Sequence, residues 1–270
     1  MFSQNQSKLA GAASSVLTRA VIIVVCSLWS ITACFAGEFH VLYYPAATEE
    51  TRVIRDSLQS DPEIDALLGF VDRNLLGDAE LRILFGVGDG PLYDPVSRTV
   101  QIPYEFVTEV DTLMDQVKYA EEADSRLKSV SDVLIHTLLH EIGHAVVDVH
   151  NIPIVGREED SVDSFATILL LHHIADGADI AISAADFFAI EDWHHQDESL
   201  AQFWGDHSLD IQRANQILCH VYGSDPDRFS ELLDEPGVDD DTRELCIESY
   251  EQVSHGWSTL LESAGLGALQ

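Results

Sequence analysis

Residues 138–163 read LLHEIGHAVVDVHNIPIVGREEDSVD, and within them His140, Glu141 and His144 make the pattern H-E-x-x-H. Val133, Leu134, Leu138, Ile142, Ala145 and Val149 surround the two histidines. That distribution predicts a helix over 129–149 that is apolar on most sides and central in the fold. On such a helix, residues four apart stand one turn above each other, so both imidazoles can reach one metal ion. Glu141 projects about 100° away, beside the open position of that ion. The layout is that of a zinc hydrolase: two nitrogen ligands, a carboxylate to take a proton from water, and a third ligand from elsewhere. Gly143 lacks a Cβ and would let a neighbouring strand or a substrate come close.

Two residues compete for the third position, and they imply different enzyme classes. His150 follows His144 by six residues, the spacing of the third histidine in H-E-x-x-H-x-x-G-x-x-H metzincins. Val147 stands where that pattern needs a glycine to break the helix, and the only methionines, Met1 and Met114, lie upstream, so the methionine turn has no source. The competitor is Glu159, in Gly156-Arg-Glu-Glu-Asp-Ser-Val-Asp163. Glu159 and Asp163 are four apart, which on a helix puts one carboxylate on the metal and the other on a ligand histidine, fixing its tautomer. Glu158, Asp160 and Asp163 remain alternatives to Glu159 if the helix begins a residue differently.

For the oxyanion of a hydrolytic step, His207 in Asp206-His-Ser-Leu-Asp210 offers a second electrophile, with Asp210 to orient it; Tyr222 is the alternative. The strand run Thr99–Tyr104 reads as the sheet edge on which an extended peptide could pair. His172-His173 and His194-His195 are adjacent pairs whose members point in different directions, without a spaced third ligand. Trp193 and Trp204 read as core or rim aromatics.

Upstream of the motif, Phe39–Tyr44, Leu81–Phe85 and Thr99–Tyr104 carry strand patterns, the last two joined through Pro91–Pro95 and a Pro-Val-Ser-Arg turn. Thr48–Gln59 and Pro62–Leu75 read as amphipathic helices. From Glu105 onward the pattern stays helical, with helices at 105–121, 129–149, 160–175, 183–191, 207–222 and 240–263. The expected class is α+β and zincin-like, a small N-terminal mixed sheet followed by a mostly helical region.

The first 36 residues hold Lys8, Arg19 and no acid, then run apolar from Ala20 to Ala36. This is a secretory signal: cleavage after Ala36 and lipidation at Cys34, in Ile31-Thr32-Ala33-Cys34, are the two processing routes it fits. Residues 37–270 then form one domain, exported to the periplasm or beyond, with membrane attachment only if Cys34 is lipidated. Losing Lys8 and Arg19 takes the formal charge from −33 to −35, which excludes nucleic acid as a partner. Export also leaves Cys219 and Cys246 as an even pair that can bridge.

The H-E-x-x-H with a later E-x-x-x-D resembles the gluzincin metallopeptidases, the thermolysin-like group among them. LLHEIGHAVVD, the IP-x-x-GREED-x-x-D run, HSLD-x-QR at 207–213 and C-x-x-YGSDP at 219–226 more closely resemble a family of secreted bacterial metallopeptidases known chiefly as a domain of unknown function. That resemblance spans nearly all of the mature chain. It implies a zinc peptidase fold holding one Zn2+ through His140, His144 and Glu159, with Glu141 as base; the expected substrate, a peptide or protein, follows from the hydrolytic reading and not from the resemblance. The alternative is a non-catalytic zinc-binding envelope protein on a peptidase-like scaffold, against which the retained Glu141 argues, because a structural site needs no base.

Overall fold

The computed structural model describes residues 39–120, 122–194, 204–234 and 236–267. The chain separates into Met1–Cys34 and Phe35–Gln270, and the fold described is that of the second unit. The signal reading of 1–36, with Cys34, lies outside the described residues, as does His195.

Alternating apolar residues build a four-stranded sheet from β1 (Phe39–Tyr43), β2 (Leu81–Phe85), β3 (Leu92–Asp94) and β4 (Thr99–Ile102), in the order β1-β2-β4-β3. β1 and β4 flank β2 in parallel, and β3 lies antiparallel on β4. Leu81, Ile83 and Phe85 of β2 are fully buried, as period-two alternation on a central strand requires. β1 buries only every second residue partway and ends the sheet on one side.

The run 99–104 does not form the edge. It stops as a strand at Ile102; Pro103 is the N-cap of a helix and Tyr104 its first residue. The Pro95–Arg98 turn, with Arg98 in the left-handed region at φ 50°, folds β3 back over β4 and covers it. β3 is therefore the edge on that side.

Two helices link the parallel strands β1 and β2: α1 (Glu49–Ser60), capped by reciprocal Thr48 and Thr51 hydrogen bonds, and α2 (Pro62–Asn74), capped by Asp61 with proline in its first turn. α3 (Tyr104–Gln116) leads to α4 (Ala123–His150), which carries the H-E-x-x-H and starts six residues earlier than the pattern predicts. α4 packs against α3, β3 and β4 and against two later helices, α5 (Glu158–His173) and α6 (Gly177–His194). Val133, Leu134, Ile135, Leu138, Leu139, Ile142, Ala145 and Val146 are all buried, so the expected central position is observed. Asn151 ends the helix in the left-handed conformation at φ 52°, and Pro153 follows.

Two closing helices, α7 (Asp210–Ser224) and α8 (Asp240–Ser263), complete the described fold around a short 3₁₀ turn at Ser230–Leu233. α7 begins three residues later than the 207–222 pattern, which leaves His207 in the segment before it. Cys219 and Cys246 are disulfide-bonded, joining α7 to α8. One turn on, a Cβ at Gly223 would lie 2.5 Å from the Cys246 carbonyl oxygen, so only glycine permits this approach. No described helix is long and apolar enough to cross a membrane.

The bridge closes a loop with a sequence separation of 27. Replacing both cysteines by serine should cost about 3 kcal/mol, chiefly by freeing the unfolded chain. Denaturant unfolding measures this directly, and an unchanged unfolding free energy would show that the bridge does not stabilise the fold by constraining the unfolded chain.

Candidate metal centre

α4 and α5 are brought together by the absence of one side chain. A Cβ built on Gly143 would stand 3.0 Å from both Val162 Cβ and Phe165 Cδ1, so α5 lies against the backbone between the two histidines. The close neighbour that Gly143 admits is thus a helix, not a strand. His140 then meets Asp163, and His144 meets Glu158 and Glu159, so ascending numbers on α4 pair with descending ones on α5. The H-E-x-x-H and the E-x-x-x-D face each other across an antiparallel helix pair.

Each imidazole is bracketed. His140 Nδ1 lies 2.7 Å from Asp163 Oδ1, His144 Nδ1 lies 2.8 Å from Glu158 Oε1, and His207 Nδ1 lies 3.3 Å from Asp206 Oδ1. An ionised carboxylate can only accept, so these Nδ1 atoms donate and the acceptor lone pairs of the neutral rings sit on Nε2. All three Nε2 atoms converge on one oxygen, Glu159 Oε2, at 3.2 Å from His140, 3.3 Å from His144 and 2.9 Å from His207. Lone pairs facing a carboxylate repel unless cations lie among them. Three extra protons or one divalent ion would satisfy the arrangement.

The donor set fits zinc. Tetrahedral zinc with bonds of about 2.0–2.1 Å holds its ligand atoms about 3.3 Å apart, close to the separations just given. Atoms of His140, Glu159 and His207 lie within 4.8 Å of one another, and His144 reaches the same glutamate oxygen. Electrostatics point the same way. Burial disfavours charge on His140, yet the hydrogen bonds to Asp163 and Glu159 hold its pKa up at about 9. Burial would raise the Glu159 carboxyl, but the three imidazoles hold it far below the usual range.

Asp163 is itself held in place. Arg213 of α7 donates Nε to Oδ2 at 2.7 Å and Nη2 to Oδ1 at 2.9 Å, and its guanidinium lies 3.8 Å above the Phe188 ring. Burial opposes ionisation of Asp163, and His140 and Arg213 overcome it, leaving the carboxyl well below its ordinary pKa. A chain of Arg213, Asp163 and His140 thus runs from α7 into the site.

Glu141 is buried and points off the ligand face, as the 3.6-residue period requires. Burial raises its pKa above the usual carboxylate value, against the neighbouring histidines and a backbone hydrogen bond from Tyr93. It lines a groove of about 670 Å³ bounded by His140, His144, Glu159, His207 and the β3 residues Leu92 and Tyr93. Tyr93 is fixed by donating to Asp148 at 2.8 Å. A smaller cavity of about 170 Å³ opens beside it, sharing His140, Glu141 and His207.

Other expected positions fall differently. His150 ends α4 and bonds the Leu75 carbonyl at 2.8 Å, away from the cluster. The carboxylate that meets His207 Nδ1 is Asp206; Asp210 sits instead 3.8 Å from Arg213. Tyr222 is buried against Leu233 and Cys246 and does not line the groove. His172 bonds Tyr250 and Ser254, and His173 packs on Phe70. Trp193 and Trp204 are exposed surface residues rather than core. Glu158, an alternative metal ligand in the sequence, meets His144 Nδ1 instead, and Arg213, Asp148 and Tyr93 entered the site unforeseen. Arg213 alone carried a signal, as the last residue of HSLD-x-QR.

A family model described as "Putative metallopeptidase" matches residues 43–261. No curated protein and no solved structure matches the chain.

If these carboxylates orient the imidazoles for a metal, Asp163→Asn should lower zinc affinity about 10–100-fold, and Glu158→Gln should lower it less, since Glu158 is solvent-exposed. Competition against a zinc-chelating fluorophore measures both. Unchanged affinity in the two variants would mean that the brackets serve packing alone.

Proposed function

The chain belongs to this metallopeptidase family, and from that premise we propose that it is an exported zinc-dependent peptidase that cleaves peptide bonds with Glu141 as general base. The observation that carries this reading is the convergence of His140, His144 and His207 Nε2 on Glu159 Oε2, with the buried Glu141 beside it on an open groove. His140, His144 and Glu159 would hold the ion. Zinc, when bound, would lower the pKa of a water toward 7 and polarise the substrate carbonyl.

The remaining chemistry belongs to the chain. Glu141 takes the proton of the attacking water and returns it to the leaving amine, a task suited to a carboxylate whose pKa burial has raised above the ordinary carboxylate value. His207, as the imidazolium with Nδ1–H on Asp206, donates its Nε2–H to the developing oxyanion. The exposed edge of β3 at Leu92, rather than Thr99–Tyr104, offers backbone groups to an extended peptide. The apolar leader and the disulfide support export.

A second reading has its own support. If His207 binds the metal as a fourth protein ligand, the site closes and becomes structural, a zinc-binding envelope protein on a peptidase-like scaffold.

Metal analysis and peptide-library hydrolysis on one variant series separate the two. The wild type should hold one zinc and cleave; Glu141→Gln should keep the zinc and lose about 10²–10⁴-fold in rate. Glu159→Ala should lose stoichiometric zinc while His150→Ala and His207→Ala keep it. Zinc retained by wild type and Glu141→Gln with cleavage by neither would sink the peptidase reading. Loss of zinc in His207→Ala would favour the closed site.

A further inference from the structure

The 170 Å³ cavity beside the groove is not used by the steps above, yet His140, Glu141 and His207 line both spaces. Whatever occupies the cavity lies next to the scissile bond. Its volume is several times the roughly 30 Å³ of a water molecule, enough for one long side chain.

Its walls are chemically specific. Phe106, Phe187 and Phe188 supply aromatic surface, with Phe106 and Phe187 edge to face at 6.4 Å. Glu191, in the last turn of α6, supplies a carboxylate. No hydrogen bond or close ion pair to a described residue holds that carboxylate. Arg213, the one arginine or lysine in the lining, spends its guanidinium on Asp163 and acts on Glu191 only at longer range. Burial, then the charge of Asp210, pushes the Glu191 carboxyl up to about 7, the mark of an anion short of a counter-charge.

We propose that this cavity receives a lysine or arginine side chain flanking the scissile bond, with Glu191 as its counter-ion and the phenylalanine rings against its alkyl stem. A neutral side chain would leave the carboxylate desolvated and unpaired, which is costly; a cation relieves that cost and gains a charge-assisted hydrogen bond. The surroundings extend the preference. An adjoining pocket that shares Pro91 and Phe106 is lined by Asp89, Glu105 and Glu109, and the whole chain carries a formal charge of −33. Such a field draws basic peptides toward the groove.

This inference rests on the peptidase reading, and the test separates the two. Zinc-loaded protein is assayed on peptides that differ only in Lys, Arg, norleucine, Asp or Glu at each position around the cleaved bond. At one adjacent position, kcat/KM should favour Lys or Arg by about tenfold or more, the worth of one charge-assisted hydrogen bond. Glu191→Gln should bring that ratio near one, and Glu191→Lys should turn it toward Asp and Glu, with zinc content unchanged in both. Cleavage without a basic preference, or a preference that survives Glu191→Gln, would overturn the pocket while leaving the peptidase reading intact. Absence of cleavage by the wild type would overturn the peptidase reading instead. Binding then decides the pocket: saturation-transfer NMR should detect lysine amide but not norleucine amide on the wild type, and neither on Glu191→Gln. Equal signals from the two amides would refute it.

Discussion

The carboxylate brackets around His140, His144 and His207 are the constraint on which the rest of the structure depends. Asp163, Glu158 and Asp206 each take the Nδ1 side of one imidazole, and Glu159 faces all three Nε2 atoms. None of these groups is comfortable alone in a protein interior, because burial disfavours charge on His140, Asp163 and Glu159 alike. Together they satisfy one another, and a divalent ion at their centre would replace the protons that the cluster otherwise needs. The apolar packing of α4 and the missing Cβ of Gly143 keep the two helices close enough for that mutual support.

Support for the cluster reaches well beyond its two helices. Arg213 ties Asp163 to α7, and the Cys219–Cys246 bridge ties α7 to α8, so the C-terminal helices buttress a histidine on α4. On the opposite side, β3 fixes Glu141 through the Tyr93 backbone, and Tyr93 is in turn anchored to Asp148 on α4. The base is held from the sheet and the ligand face from the helices. That division lets a groove remain open between them.

Much of this was legible in the residues. The α+β order and the central helix follow from periodicity, and the pairing of His140 with Asp163 follows from two four-residue spacings laid face to face. The expected bridge between Cys219 and Cys246 is present as well. What periodicity could not supply is tertiary. Thr99–Ile102 looks like an edge until the short β3, three residues long, folds over it. Asp210 looks like the partner of His207 by spacing on a helix, but α7 starts only at Asp210, so the helical offset does not apply and the adjacent Asp206 takes the role. Arg213 comes from a helix fifty residues after Asp163 and has no local pattern that would announce its target.

Whether the converging atoms form a single metal site is best answered by anomalous diffraction at the zinc absorption edge on crystals of the zinc-loaded protein. One peak is expected at the centre of His140, His144 and Glu159, about 2.0–2.1 Å from each ligand atom, with Glu141 off the ion. A peak elsewhere, or none at this cluster, would contradict the assignment.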